Sequence, residues 1–324
     1  MRTLPGCNNF HGYRRPPPLP IGTPATEIDE ARRYLEECTL CPRNCRVNRL
    51  HGELGRCGTG EYARIASYGP HFGEEQPLVG NHGSGTIFLS SCNLRCCFCQ
   101  NYEISHHPEE SPEVDDERFG AVMTGTTKKG CHNINLVTPT HLVPAILAAI
   151  NHALAHGLCI PVVYNCSGYE SLHALALLDG VVDIYLADFK FWDPDSGAKY
   201  ADAPDYPEIA RAALPAMRRQ VGDLRLDEDG VAKRGLLIRH LLMPGGLAET
   251  REILRFIATE LGGGTYVNIM DQYRPCGGAA AHHELMGEIK PAALAQAEAM
   301  AEEFGLTRLD KRDLSVLLRR LLGR

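Results

Sequence analysis

Gly85-Thr86-Ile87-Phe88-Leu89-Ser90-Ser91-Cys92-Asn93-Leu94-Arg95-Cys96-Cys97-Phe98-Cys99 is an apolar run that leads directly into a thiol-rich loop. A short apolar run of this kind reads as a buried strand, so the cysteines stand at a strand's C-terminal end. Cys92, Cys96 and Cys99 are spaced C-x3-C-x2-C. Three thiolates in one tight loop suit a cubane iron–sulfur cluster, [4Fe-4S]. They cover three irons and leave the fourth open to another molecule, as the open position of a catalytic metal site is. The competing assignments are a zinc knuckle lacking its fourth ligand and a chance grouping in a cysteine-rich chain. Cys97 pairs with Cys92 and Cys99 only at x4 and x1 spacings and is an extra thiol.

Outward from this loop, strand and helix patterns alternate. Strands are expected at 85–90, 133–138, 160–165, 182–187, 235–242 and 265–270. Helices are expected at 141–156, ended by Gly157, at 170–179, ended by Gly180, and at 207–220, 248–261 and 292–304. Such alternation predicts parallel strands joined by crossover helices. Ile160-Pro161-Val162-Val163-Tyr164 and Leu236-Leu237-Ile238 are continuous apolar runs, as strands covered on both faces require. The count of βα units is short of the eight that close a barrel. Residues 223–234 carry Asp229-Gly230 and predict a surface hairpin.

The other segments divide the chain further. Residues 1–25 are proline-rich and read as an extended arm. Residues 26–80 form an N-terminal extension that opens on a short helix over 26–37. The βα array occupies 81–309, and a basic amphipathic helix is expected over 310–324. Within the extension, Cys38, Cys41, Cys45 and Cys57 supply four thiolates in a short span. Four thiolates close a tetrahedral zinc site or cap all irons of a second Fe-S cluster, and either way leave no open position. The polar loop 48–55 between them favours zinc or a structural role.

The chain has 324 residues, 44% of them hydrophobic, enough for one large α/β domain with an appendage. Its start lacks the pattern of a secretory signal, and no stretch approaches the roughly 18 apolar residues of a membrane span. The expected location is cytoplasmic, with no membrane partner. Thirteen cysteines in such a chain point to metal binding rather than disulfides. A net charge of −7 argues against a nucleic-acid partner.

With these motifs in place, the chain resembles the radical S-adenosylmethionine (SAM) superfamily over roughly residues 35–305. That resemblance implies an α/β partial (βα)6 radical SAM barrel with an N-terminal cysteine-rich extension. It assigns the [4Fe-4S] cluster to Cys92, Cys96 and Cys99, with Phe98 as the aromatic residue before the last cysteine. Among its members, Asn165-Cys166-Ser167-Gly168, Asp188-Phe189-Lys190 and Ile238-Arg239-His240 resemble segments of pyruvate formate-lyase-activating enzyme and its relatives. By that resemblance Asn165, Ser167, Asp188 and Lys190 contact SAM or a nearby cation, and Arg239 pairs with the SAM carboxylate. Two places differ. Val137-Thr138-Pro139-Thr140-His141 stands where those enzymes carry a Gly-Gly-Glu type motif, and Ser91 replaces the glycine before the first cluster cysteine. Thr138-Pro139-Thr140-His141, Gly80-Asn81-His82-Gly83-Ser84-Gly85 and Cys99-Gln100-Asn101-Tyr102-Glu103-Ile104-Ser105 are similar to the PflX-type or AmmeMemoRadiSam-like branch. The resemblance implies reductive cleavage of SAM to a 5′-deoxyadenosyl radical. It further implies a low-potential flavodoxin or ferredoxin as electron donor, and hydrogen abstraction from a peptide, partner protein or small metabolite. The alternative is an iron–sulfur electron-transfer or metal-binding adaptor without catalysis of its own.

Overall fold

The computed structural model describes residues 25–310. The arm expected over 1–25 and the helix expected over 310–324 lie, but for Ala25 and Asp310, outside the described residues. The first helix runs Ala25–Arg33. It is followed by β1 (Ala63–His71), β2 (Ser84–Leu89), β3 (Glu113–Val114), β4 (Ile134–Val137) and β5 (Val162–Cys166). The chain continues through β6 (Ile184–Asp188), β7 (Arg225–Leu226), β8 (Ala232–Leu241), β9 (Tyr266–Met270) and β10 (Arg308–Leu309).

The sheet order is β10-β9-β8-β6-β5-β4-β2-β1-β3, with β7 paired to β8. Along the sheet from β2 to β10 every neighbour pair is parallel and in chain order; β3, antiparallel to β1, and β7, paired to β8, stand outside this run. Winding in one direction puts every right-handed crossover on the same side. The sheet is therefore a partial (βα)6 barrel with helices outside, its six long parallel strands matching the six expected. At the open edge β1 runs antiparallel to β2 from Ile65 against Leu89 to His71 against Ser84. The segment read as an extension thus lends a strand to the barrel sheet. The expected hairpin is present: β7 runs antiparallel to β8, across a turn where Gly230 takes φ +77°.

The two faces of the sheet differ in chemistry. Outward, Ile87, Leu136, Tyr164, Tyr185, Ile238 and Val267 join one apolar core with helix residues such as Phe119, Ile146, Leu214 and Ile253. Inward, the half nearer the strand starts is apolar: Val163, Ile184, Leu186 and Leu237 pack with Leu78 and Leu224 in a second cluster. Leu78 belongs to a short helix, Gln76–Val79, that plugs this end of the barrel. Asn133 pins the plug by donating Nδ2–H to Leu78 O (2.8 Å) while its Oδ1 accepts from Ser84 Oγ (2.7 Å). Nearer the strand ends the inner face turns polar: Asp188, Arg239 and Asn268 are in register across β6, β8 and β9, and Asn165 of β5 lies opposite Leu186, one inward position earlier. A polar interior needs partners for its groups; the site below supplies most of them, and Glu75 Oε2 has no hydrogen-bond partner among the described residues.

Two crossover helices escape the sequence periodicity. Asp116–Lys128 (DERFGAVMTGTTK) is rich in Gly and Thr, which are weak helix formers. It forms because Asp115 Oδ1 caps Arg118 N (2.8 Å) and because Gly120 admits the neighbouring helix. A Cβ at Gly120 would lie 2.7 Å from Ala149 O. Pro194–Ala201 starts from an Asp193 cap.

Leu78→Ala should remove the plug's apolar contact and lower stability by about 2–5 kcal/mol, read as a fall in melting temperature. Leu54→Ala, 60% exposed, should leave it unchanged. Equal effects would show that the barrel floor does not depend on Leu78.

Candidate metal centre and cofactor site

At the end of β2 the backbone coils back on itself: Ser91 has φ +77° and Arg95 φ +57°. Thr138, at the end of β4, has φ +62°. Non-glycine residues in the left-handed region are sparse and gather at functional sites. Here three of them flank one loop. The loop is anchored by Ser91 N–H to Ile104 O (2.8 Å), Cys97 N–H to Tyr200 O (2.8 Å) and Cys99 N–H to Cys96 O (3.2 Å).

The sulfurs of the triplet receive hydrogen bonds from the protein: Leu94 N–H points to Cys92 Sγ (3.4 Å) and Ser105 Oγ–H to Cys99 Sγ (3.3 Å). Burial pushes the Cys92 thiol up, and the charge of Cys99 adds to it. Burial also raises Cys96, against the pull of the Lys190 ammonium. Among the described residues no three His, Cys, Asp or Glu side chains converge tightly enough to chelate a metal ion as they stand. The donor set nevertheless fits a cluster held at three corners: soft thiols, hydrogen bonds to sulfur and a cation beside Cys96. Phe98 packs edge-on against Phe191 (ring centroids 6.0 Å) and beside Tyr273 (6.1 Å), forming the wall behind the loop.

Below the loop, the barrel's polar half carries a charge network. Arg239 donates Nε–H to Asp188 Oδ1 (2.6 Å) and Nη2–H to Asn165 Oδ1 (2.8 Å), with Glu74 Oε2 3.7 Å from Nη1. Lys190 pairs with the second oxygen of Asp188. Burial alone would raise Asp188, but Arg239 and Lys190 outweigh it and hold the carboxyl below its ordinary range. Burial raises Glu74 to about 7, with Arg239 opposing. Glu75 Oε1 accepts from Asn268 Nδ2 (2.9 Å). Asn165, Asp188, Lys190 and Arg239 therefore come together. Ser167 does not join them: its Oγ accepts the Tyr169 N–H (3.4 Å) and its carbonyl the Tyr206 hydroxyl (2.8 Å).

The Thr138-Pro139-Thr140-His141 turn is engaged mainly with its own surroundings. Thr140 Oγ1 donates to Glu170 Oε1 (2.6 Å), and Tyr164 OH donates to Glu170 Oε2 (3.1 Å). His141 Nε2 sits 3.0 Å from Ser90 O. Burial lowers its ring to about 3, so it is neutral and donates through Nε2.

The four N-terminal cysteines form a second thiol group. Asn44 (φ +43°) and Arg46 (φ +55°) fold the chain around them. Arg56 N–H points to Cys45 Sγ (3.3 Å), and a Cβ on Gly55 would lie 3.0 Å from that sulfur. Burial pushes Cys41 up to about 12, a backbone N–H from Arg43 opposes, and Cys57, Cys38 and Cys45 add to the rise. Cys38, Cys45 and Cys57 are thus each within electrostatic reach of Cys41, and four thiols are a donor set that suits zinc and Fe-S alike. Arg49 reaches from this group to the barrel, donating to Gly60 O (2.7 Å) and His141 O (2.9 Å).

Several site residues carry no sequence motif. Glu74 and Glu75 arrive from the plug segment, Glu170 from the turn after β5. Cys276, isolated in the sequence, donates Sγ–H to Phe98 O (3.1 Å). A pocket of about 170 Å³ opens at the ends of β6 and β8, with Lys190, Tyr200, His240 and Glu249 on its wall.

No protein-family model matches the chain. It is 30% identical over 289 residues to the uncharacterized protein MJ0674 of Methanocaldococcus jannaschii, covering 86% of this chain and 78% of that one. Among solved structures it is similar to methylornithine synthase (PylB), with a TM-score of 0.44 and 12% identity over 74% of this chain and 81% of that one. No helix among the described residues is long and apolar enough to cross a membrane.

Burial raises the Glu170 carboxyl to about 8, against the bonds from Thr140 and Tyr164. Between about pH 5 and pH 8 the folded chain therefore holds a proton that the unfolded chain has lost. Stability falls as pH rises through this window, by about 1.4 kcal/mol per unit from this group. Glu170→Gln removes the titration, so its melting temperature should gain on wild type between about pH 6 and pH 8. A constant gap would show that Glu170 is already ionised.

Proposed function

Because the chain belongs to the family of the uncharacterized protein MJ0674, whose name assigns no reaction, we propose its function from the site itself: a radical SAM enzyme. The observation that carries the reading is the meeting of the Cys92, Cys96 and Cys99 loop with the Asn165, Asp188, Lys190 and Arg239 network at one end of the barrel. When bound, a [4Fe-4S] cluster would supply the electron that splits SAM into methionine and a 5′-deoxyadenosyl radical.

The chain's own residues bind and orient. Cys92, Cys96 and Cys99 would hold the cluster, and Lys190 places positive charge beside Cys96. Arg239 would meet a carboxylate with the N–H donors left over from its bonds to Asp188 and Asn165, and those two bonds fix its plane. The strained Thr138 turn would bring backbone groups to the same opening. The apolar floor built around Leu78 fills the far end of the barrel.

The substrate would enter from the strand-end side, where Tyr200 and His240 line the pocket. A peptide, a side chain of a partner protein or a small metabolite all present a C–H bond to such an opening. A low-potential flavodoxin or ferredoxin would deliver the electron. The four N-terminal cysteines would hold zinc or a second cluster and staple their segment to the barrel.

Anaerobically reconstituted protein given SAM and dithionite should yield 5′-deoxyadenosine and methionine. Cys96→Ala should abolish both, and Cys97→Ala, which alters the extra thiol, should not. Product formed equally in Cys96→Ala would overturn the assignment, and a SAM-inert cluster would leave the iron–sulfur adaptor in its place.

A further inference from the structure

We propose that Arg43 is a positioning residue through which the four-cysteine segment sets the shape of the cluster-binding loop; this rests on the reading that Cys92, Cys96 and Cys99 hold a cluster. Arg43 sits inside the N-terminal thiol group, between Cys41 and Cys45, and its backbone N–H bonds to Cys41. Its side chain leaves that group and crosses to the other. Nε donates to Asn93 O (2.7 Å), and Nη2 to Leu94 O (3.2 Å) and Ala201 O (3.0 Å). Nη1 donates to Asp202 O. The guanidinium lies over the Tyr169 ring, 5.3 Å from its centroid.

These contacts fall on both ends of the cysteine loop. Asn93 and Leu94 directly follow Cys92, and Leu94 carries the N–H that points to Cys92 Sγ (3.4 Å). Asn93 is held again by its side chain, which donates to Tyr169 O (2.9 Å). Ala201 and Asp202 close the helix Pro194–Ala201, and Tyr200 O of that helix accepts the Cys97 N–H (2.8 Å). One planar fork therefore fixes the loop's entry at Cys92 and, through residues 200–202, its far side at Cys97. Only arginine has enough donors in one plane to serve four carbonyls; lysine would keep the charge and lose the fork. A metal ion or cluster on Cys38, Cys41, Cys45 and Cys57 would hold the Arg43 backbone still. Loading of the N-terminal group would then stabilise the catalytic cluster, and linkage makes the coupling reciprocal.

The test follows the electron paramagnetic resonance (EPR) signal of the reduced cluster that changes on adding SAM, under an anaerobic iron chelator. Arg43→Ala and Arg43→Lys should both shorten the lifetime of this signal by about tenfold or more, the range seen when groups behind metal ligands are removed. Cys41→Ser, which unseats Arg43 from behind, should act in the same direction. Arg251→Ala, altering an exposed pair with Glu303, controls for general destabilisation and should match wild type. Arg43→Ala with a wild-type lifetime, or Arg251→Ala with an equal loss, would overturn the proposal. Arg43→Lys matching wild type would overturn its geometric basis. Absence of any SAM-responsive signal in wild type would instead defeat the radical SAM reading itself.

Discussion

Asp188 is a charged carboxylate buried at the end of β6, stable there only because Arg239 and Lys190 bracket it. Desolvating a carboxylate costs several kcal/mol, and removing one partner of a buried pair costs about 3–5 kcal/mol. The interaction therefore constrains more than itself. Through Arg239 it ties β6 to β8 and to Asn165 on β5. Through Lys190 it places a cation beside Cys96. Glu74 approaches Arg239 from the plug below, so the charge network also fixes the depth at which the polar half of the barrel begins.

That depth divides the interior into two solvents. The floor, with Leu78, Val163 and Leu237, is apolar and closed. The upper half is polar, and its groups converge on the strand ends where the cysteine loop lies. Open parallel arrays gather reactive groups at strand ends because the loops converge there. Here the loop itself is held from the side by a segment outside the βα repeat. Arg43 and Arg49 both leave the N-terminal thiol group and end on barrel carbonyls. The two cysteine groups form one mechanical unit.

What could be read in the sequence was whatever one stretch of chain decides by itself. β4, β5 and β6 are buried on both faces and largely apolar, so their runs stand out in the sequence and their boundaries shift by only a few residues. The C-x3-C-x2-C and N-terminal thiol groups stand out for the same reason, since close spacing in the sequence keeps their cysteines in one segment. The Asp116–Lys128 helix was missed because its stability comes from a cap and from close approach to a neighbour at Gly120. β1 was missed because its sequence, ARIASYGPH, has mixed polarity and becomes a strand only against β2. Glu74, Glu170, Arg43 and Cys276 gain meaning from partners distant in the chain, which no local pattern records. Ser167 shows the converse, a motif residue whose bonds go to Tyr169 in its own loop and to the distant Tyr206 hydroxyl.

The central claim is that three cysteines leave one iron of a cluster open to SAM. EPR spectra of the reduced, reconstituted protein recorded before and after adding SAM test it most directly. The account expects the g-values of one cluster signal to change on adding SAM, and that response to vanish in Cys92→Ser. An intact cluster whose spectrum is identical with and without SAM would contradict it.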